Sequence, residues 1–204
     1  MKKLFDSGNV LWRAVSRLAD YMMLSLCWLL CSLPLVTLGA TCTALYDCAA
    51  HCFHDGEEGM FRRFFRTLKN ELGRGVLISL VWGVLAAVLY IGYQVLYQQA
   101  ASSTGWTVFS LVYLCSLFIP LATLSWVICV NSRFAYPFGT LHRNAFIFAF
   151  AHLSQSIVMV VTEVMAVILT VNLPFLIVIL PAALAHLHTR FVEKVLHKYM
   201  PKED

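Results

Sequence analysis

Apolar residues run along this chain in long blocks, and the charged residues collect in a few short segments between them. Four of the blocks have about the length of a membrane-spanning helix, roughly 20 residues. Residues 75–97 carry no charge and end in Tyr90, Tyr93 and Tyr97, grouped as in an interfacial aromatic belt. Residues 106–130 contain Pro120, whose missing N–H predicts a kink. Residues 145–170 form the next block, and 173–189 the last, after a short "VNLP" turn. An earlier apolar block, 18–54, is interrupted at Pro34 and Gly39. As one helix its roughly 37 residues would reach about 55 Å, against a hydrocarbon core of ~30 Å. Two arms, 18–33 and 37–53, would each reach about 25 Å. The pattern therefore predicts a short hairpin or re-entrant pair turning at Pro34–Thr37, with Thr37 capping the second arm. The competing reading is one span, 18–38, followed by a helix on the outer surface.

The polar segments are themselves patterned. Within an N-terminal interfacial segment, 1–17, Leu11 and Val15 share a helical face with Leu18 just beyond it, and Arg13 and Arg17 lie opposite. Asp6, Ser7 and Asn9 are candidate N-caps. In 55–74, "DGEEGMFRRFFRTLKNELGR", Phe61, Phe64, Phe65, Leu68 and Leu72 fall at helical spacing, and Arg62, Arg63, Arg66 and Lys69 take the other side. That is a basic amphipathic helix suited to an anionic inner leaflet. The tail, 190–204, is basic and predicted helical up to Pro201. The fold expected is all-α: one membrane domain, 1–204, with four long spans, a Pro34-broken N-terminal helical pair and amphipathic interfacial helices.

Composition strengthens this picture. Of 204 residues 60% are hydrophobic and 13% charged, with a mean hydropathy of +0.74. A soluble domain carries about a quarter charged residues, so the lipid bilayer is the main solvent. A secretory signal peptide is disfavoured, because polar residues from Asp6 to Asp20 separate Lys2 and Lys3 from the first apolar run. The net charge of +4 is too small to suggest a nucleic-acid partner. Its distribution is more telling. Lys and Arg occur in 55–74, in 131–144 (Arg133, Arg143) and in the tail, and are absent from 98–105 and 171–173. The alternation puts the basic segments and the C-terminus in the cytoplasm. The N-terminal Lys2, Lys3, Arg13 and Arg17 belong there too, which requires 18–54 to cross an even number of times.

Candidate chemistry is sparse. In 145–170, His152, Ser156, Glu163 and Thr170 project within one arc, with Met159 on the same stripe and Gln155 and Thr162 flanking it. Intramembrane ionisable groups face the bundle interior and often mark a pathway, so His152, Ser156 and Glu163 form a candidate polar site. The plainer reading is interhelical hydrogen bonding. An intramembrane enzyme would show a second acidic or His residue across the bundle from Glu163, and Asp47 is the distant candidate. Seven cysteines include two i, i+4 pairs, Cys27/Cys31 and Cys48/Cys52, with His51 and His54 nearby. That spacing lacks the C-x-x-C of a structural zinc site, and packing accounts for it. No P-loop, G-x-S-x-G, H-E-x-x-H or G-x-G-x-x-G is present. No enzyme, cofactor or metal is expected.

The stretch "CWLLCSLPLVTLGATCTALYDCA", with "FRRFFRTLKNELGRGVLISLVW", resembles the YesL-like family of small bacterial polytopic membrane proteins of unknown function. The marks are Ser32-Leu33-Pro34, Thr37, Gly39-Ala40, Ala44-Leu45-Tyr46 and Phe64-Phe65 with Lys69-Asn70. They cover about the first 80 residues of the chain; beyond these only the span pattern and the basic C-terminal helix match. The resemblance implies a bacterial plasma-membrane protein acting beside carbohydrate ABC transport, with ABC transporter subunits as partners, and no catalytic residues. The cysteine cluster and Asp47 are not among its marks. Two functions are then in view. One is an accessory protein docking through Phe61, Arg62, Arg63, Phe64, Phe65, Arg66 and Lys69. The other is a small-solute binding subunit or transporter built around Glu163. Topology has a direct check. A single Cys at Ser7, in a Cys-depleted background, is expected to resist an impermeant thiol reagent in intact cells and to react after lysis; labelling of intact cells would reverse the assignment.

Overall fold

The computed structural model describes residues 10–54, 58–100 and 104–199. The candidate caps Asp6, Ser7 and Asn9 lie outside them, as do 55–57, residues 101–103 of the 98–105 loop and the tail beyond Tyr199. Eight α-helices follow in order: α1 (Val10–Ser32), α2 (Leu38–Cys48), α3 (Met60–Ala100), α4 (Thr104–Ser116), α5 (Phe118–Arg133), α6 (Phe138–Ala151), α7 (Leu153–Asn172) and α8 (Leu180–Leu196). Among the described residues no strand occurs. Three stretches are long and apolar enough to cross a membrane: Met60–Gln99, Thr104–Arg133 and Leu153–Asn172. The bent pair Val15–Ser32 and Leu35–Phe53 makes a fourth if it counts as one span.

The predicted break in 18–54 is present. The two arms meet at 120°, across the 3-10 turn Leu35–Thr37. Thr37 holds this turn, but not as a cap of α2, whose N-terminus receives no side-chain bond from it. Its hydroxyl lies 2.6 Å from the Cys31 carbonyl and 2.7 Å from that of Pro34, and its N–H donates to the Pro34 carbonyl at 2.8 Å. Thr37 thus serves carbonyls freed where Pro34 ends the first arm. The capping group for α2 comes from α3 instead: the Gly39 N–H donates to the Ser79 hydroxyl at 2.7 Å. Nor is α2 a surface helix, since Gly39–Thr41 and Thr43–Cys48 are all buried.

Small residues set how closely α2 and α3 approach. A Cβ on Gly39 would meet the Gly75 carbonyl oxygen at 2.5 Å, and one on Gly75 would collide with Ala40. Close approach through small residues is the usual way helices pack where lipid removes the hydrophobic drive between them.

The other boundaries shift for identifiable reasons. Segments 55–74 and 75–97 are one helix of 41 residues, because no proline separates them. At 1.5 Å per residue it reaches about 60 Å, roughly twice the hydrocarbon core, so its first turns project beyond a bilayer. The break in 106–130 falls at Leu117. Pro120 sits in the first turn of α5, where its missing N–H has no helical acceptor to lose. Segment 145–170 is interrupted at His152, whose backbone leaves the helical region at φ −122° and ψ 55°. Segment 173–189 opens with the 3-10 turn Pro174–Val178, then becomes α8, which runs on to Leu196. Shorter than a span, α8 returns through the bundle with Ala182, Ala185, His188, Val192 and Leu196 buried. Val84, Val88 and Ile91 of α3 and Val161 and Val167 of α7 stay exposed, as a lipid-facing surface requires.

The tight crossing predicts a contrast. Gly75→Val is expected to cost about 1–3 kcal/mol or more through overpacking against Ala40. Gly83→Ala, at a position with open space around it, is expected to leave the thermal unfolding midpoint in detergent unchanged or raised.

Candidate functional sites

Glu163 lies at the middle of α7, and its neighbours come from two other helices. The Ser125 hydroxyl of α5 sits 2.7 and 2.8 Å from its two carboxyl oxygens. His188 Nδ1 of α8 is 4.0 Å from Oε1, and His188 Nε2 is 2.9 Å from the Thr162 hydroxyl. The second ionisable residue across the bundle is therefore His188, not Asp47. Ser125 and His188 escaped the sequence reading because their separation from Glu163 carries no periodic signal. The one available signal was the pair His186 and His188, five and seven residues after Pro181.

The rest of the predicted stripe does not converge on Glu163. Ser156 accepts from Trp126 Nε1 at 2.9 Å and lies 2.8 Å from the Ala149 carbonyl, tying α5 to the α6–α7 break. His152 lies at that break, among Trp126, Phe148 and Tyr199. Burial there, and the nearby Lys198, hold its imidazole below the ordinary histidine range. Thr170 bonds back to the Ala166 carbonyl.

A second, larger network occupies the end of the bundle where the basic segments meet. Beyond α2 the chain widens into a π-helical turn, Ala49–His54, the kind of insertion that often re-aims side chains. Asp47 accepts from Arg63 Nε at 3.0 Å, Arg63 Nη2 at 3.3 Å and the Thr67 hydroxyl at 2.7 Å. His51 Nδ1 lies 3.1 Å from Asp47, and its Nε2 lies 2.9 Å from Arg133 Nη1. Arg133 Nε then donates to Glu193 at 2.9 Å, and the Tyr46 hydroxyl donates to the same carboxyl oxygen at 3.0 Å. Glu193 is 1% exposed. A neighbouring set adds Asn131, which donates to Glu71 and Thr43, and Arg74, which donates to Asn131 Oδ1. Asp47, unexplained by the sequence, is thus the acid that fixes the first turns of α3.

This changes the amphipathic helix. Arg63 faces inward to Asp47, and Phe64 is fully buried, so neither belongs to an outer surface. Phe61, Phe65 and Leu72 remain exposed, alongside exposed Arg62, Arg66 and Lys69. Among the described residues none of those three cations is in an ion pair.

Elsewhere the molecule offers packing. The seven cysteines are free thiols, and among the described residues no three His, Cys, Asp or Glu side chains group as for a metal ion. The Cys48 thiol donates to the Met60 carbonyl, and Trp28 Nε1 donates to Cys42 Sγ. An apolar groove of about 410 Å³ opens between α3, α4 and α5, walled by Trp82, Tyr90, Tyr93 and Pro120.

The buried network predicts unequal mutational costs. Glu193→Gln leaves Arg133 buried without its counter-charge and is expected to cost about 3–5 kcal/mol. Tyr46→Phe removes one hydrogen bond to the same oxygen and is expected to cost about 1 kcal/mol. Denaturant unfolding in detergent micelles measures both; equal losses would contradict the ion pair's dominance.

No curated protein and no solved structure matches the chain. Residues 21–93 match the family described as "Protein of unknown function, DUF624".

Proposed function

We propose that this chain is a non-enzymatic accessory protein of the bacterial plasma membrane, with its basic end and both termini in the cytoplasm. It docks there on the permease or ATPase subunits of a carbohydrate ABC transporter. The observation that supports this most is the outer face of α3's first turns. Phe61 and Phe65 stand exposed beside exposed Arg62, Arg66 and Lys69, which pair with no acid among the described residues, on a helix long enough to project past the bilayer. Exposed apolar side chains rimmed by charge suit a partner surface. The helix is presented rigidly, because Arg63 and Thr67 fasten its inner side to Asp47. Anionic inner-leaflet lipid is the other surface this face suits.

A second reading, a small-solute transporter, draws support from the Ser125–Glu163–His188 cluster inside the bundle. Here the sugar or other solute would be bound near mid-membrane.

The two readings separate by mutation. The triple charge reversal Arg62→Glu, Arg66→Glu, Lys69→Glu is expected to abolish co-purification with the transporter subunits in mild detergent, while Glu163→Gln retains it. Loss of a measured uptake in Glu163→Gln, with the triple variant still active, would overturn the accessory role.

A further inference from the structure

Glu163 presents an unusual combination. It stands at the middle of α7, a 20-residue helix long and apolar enough to cross a membrane, and its side chain is 30% exposed. In a helix of span length the middle falls near mid-membrane depth. Among the described residues no Lys or Arg pairs with it. The groups that face or neighbour it are Ser125 and Cys129 of α5, His188 of α8, Cys42 of α2 and Thr162 of its own helix. A lone carboxylate so placed is strongly disfavoured and takes a proton or a cationic partner.

The hydrogen-bond geometry fits that requirement. The Ser125 oxygen is within bonding distance of three acceptor oxygens: both oxygens of Glu163 and the Leu121 carbonyl at 3.0 Å. A hydroxyl carries one hydrogen. All three contacts cannot be donated by Ser125. A protonated Glu163 resolves the count, because its O–H donates to the Ser125 oxygen while Ser125 donates to Leu121. On the other side, the Thr162 hydroxyl lies 2.7 Å from the Val158 carbonyl and 2.9 Å from that of Met159. With its hydrogen committed there, Thr162 accepts from His188 Nε2–H. The remaining ring nitrogen, Nδ1, is then a free base aimed at Glu163 from 4.0 Å.

We propose that Glu163 and His188 form a proton-binding couple inside the membrane portion of the bundle, with Ser125 as its two-way hydrogen-bond partner. In one state the proton sits on a Glu163 oxygen and bonds to Ser125. In the other it has moved from that oxygen to His188 Nδ1, leaving a carboxylate to which the Ser125 hydroxyl turns and donates. No other atom is gained or lost. The ligand of this site is a proton, and the couple stands whether or not α3 docks a partner.

The test is infrared difference spectroscopy of the full-length protein in phosphatidylcholine nanodiscs, titrated between about pH 4 and pH 9, a window spanning ordinary carboxyl and imidazole values. A protonated-carboxyl C=O band is expected to grow on acidification, to shift in deuterium oxide and to disappear in Glu163→Gln. His188→Gln is expected to move the band's midpoint to higher pH, since a protonated imidazole no longer favours the carboxylate. Ser125→Ala is expected to shift the band's frequency through loss of its hydrogen bond, a change that needs no loss of fold. A titration in which Glu163→Gln gives the native difference spectrum, or in which the midpoint is unmoved in His188→Gln, overturns the couple. The triple α3 variant keeps the band if the couple is right, so docking and proton binding fail separately.

Discussion

A buried carboxylate must be met by a cation and by hydrogen bonds, and in this fold Glu193 imposes that condition on everything around it. Removing an ion from water costs several kcal/mol, which only good geometry offsets. Glu193 obtains that geometry from Arg133 and Tyr46, and Arg133 is in turn positioned by His51 and His51 by Asp47. Asp47 then holds Arg63 and Thr67. One line of contacts therefore runs through α8, α5, the end of α2 and the start of α3. It fixes where α8 ends relative to α5, and it decides which side of α3 faces outward. The π-helical turn Ala49–His54 follows directly on α2 and carries His51, which stays in i, i+4 contact with Asp47 and reaches Arg133.

At the opposite end of α2 the controlling factor is size. Gly39, Ala40 and Gly75 let the two backbones approach until a methyl group would not fit. The polar groups exposed by the turn are then served locally: Thr37 covers the carbonyls of Cys31 and Pro34, and Ser79 takes the Gly39 N–H in the first turn of α2. An interrupted helix is tolerated at membrane depth only when neighbours satisfy its freed groups. Here a threonine and a serine do so without any charge. The residues around Pro34 thus read as parts of one joint: a stop, a hydroxyl and a close crossing.

Much of this was legible in the sequence, for reasons that are physical. Long uncharged blocks have no stable alternative to helix in lipid, so the all-α class and the run of spans followed from composition alone. Pro34 announced the turn because no long-range contact can restore a missing N–H, whereas Gly39, read as a second break, lies within α2 and marks the close crossing with α3. What escaped were features that depend on which faces meet. The phenylalanines of 55–74 looked like one stripe, yet Asp47 draws Arg63 inward and rotates Phe64 into the core while Phe61 and Phe65 face out. His152 carried the right spacing for the Glu163 stripe but breaks the helix instead, and that break decouples the two faces. Ser125 and His188 were invisible as partners because their sequence separation from Glu163 carries no periodic signal. Helical spacing fixes neighbours within one helix; across helices only packing does.

The two interior carboxylates show how the same residue type takes different roles from its surroundings. Glu193 has a guanidinium at 2.9 Å and almost no exposure, so its part is structural. Glu163 has a hydroxyl and an imidazole, partners that accept as readily as they donate, so nothing in its shell commits it to one protonation state. The α5 helix carries the partners of both: Ser125 and Arg133 lie two turns apart on one face, with Cys129 between them. Cys129 is buried and lies within electrostatic reach of both glutamates. A single helix face therefore joins a paired carboxylate at the basic end to an uncommitted one at mid-span. Because the fixed pair sets the position of α5 against α8, it also sets the distance at which Ser125 and His188 present themselves to Glu163. The stability of the basic end and the chemistry of the interior are in this sense one problem of helix register.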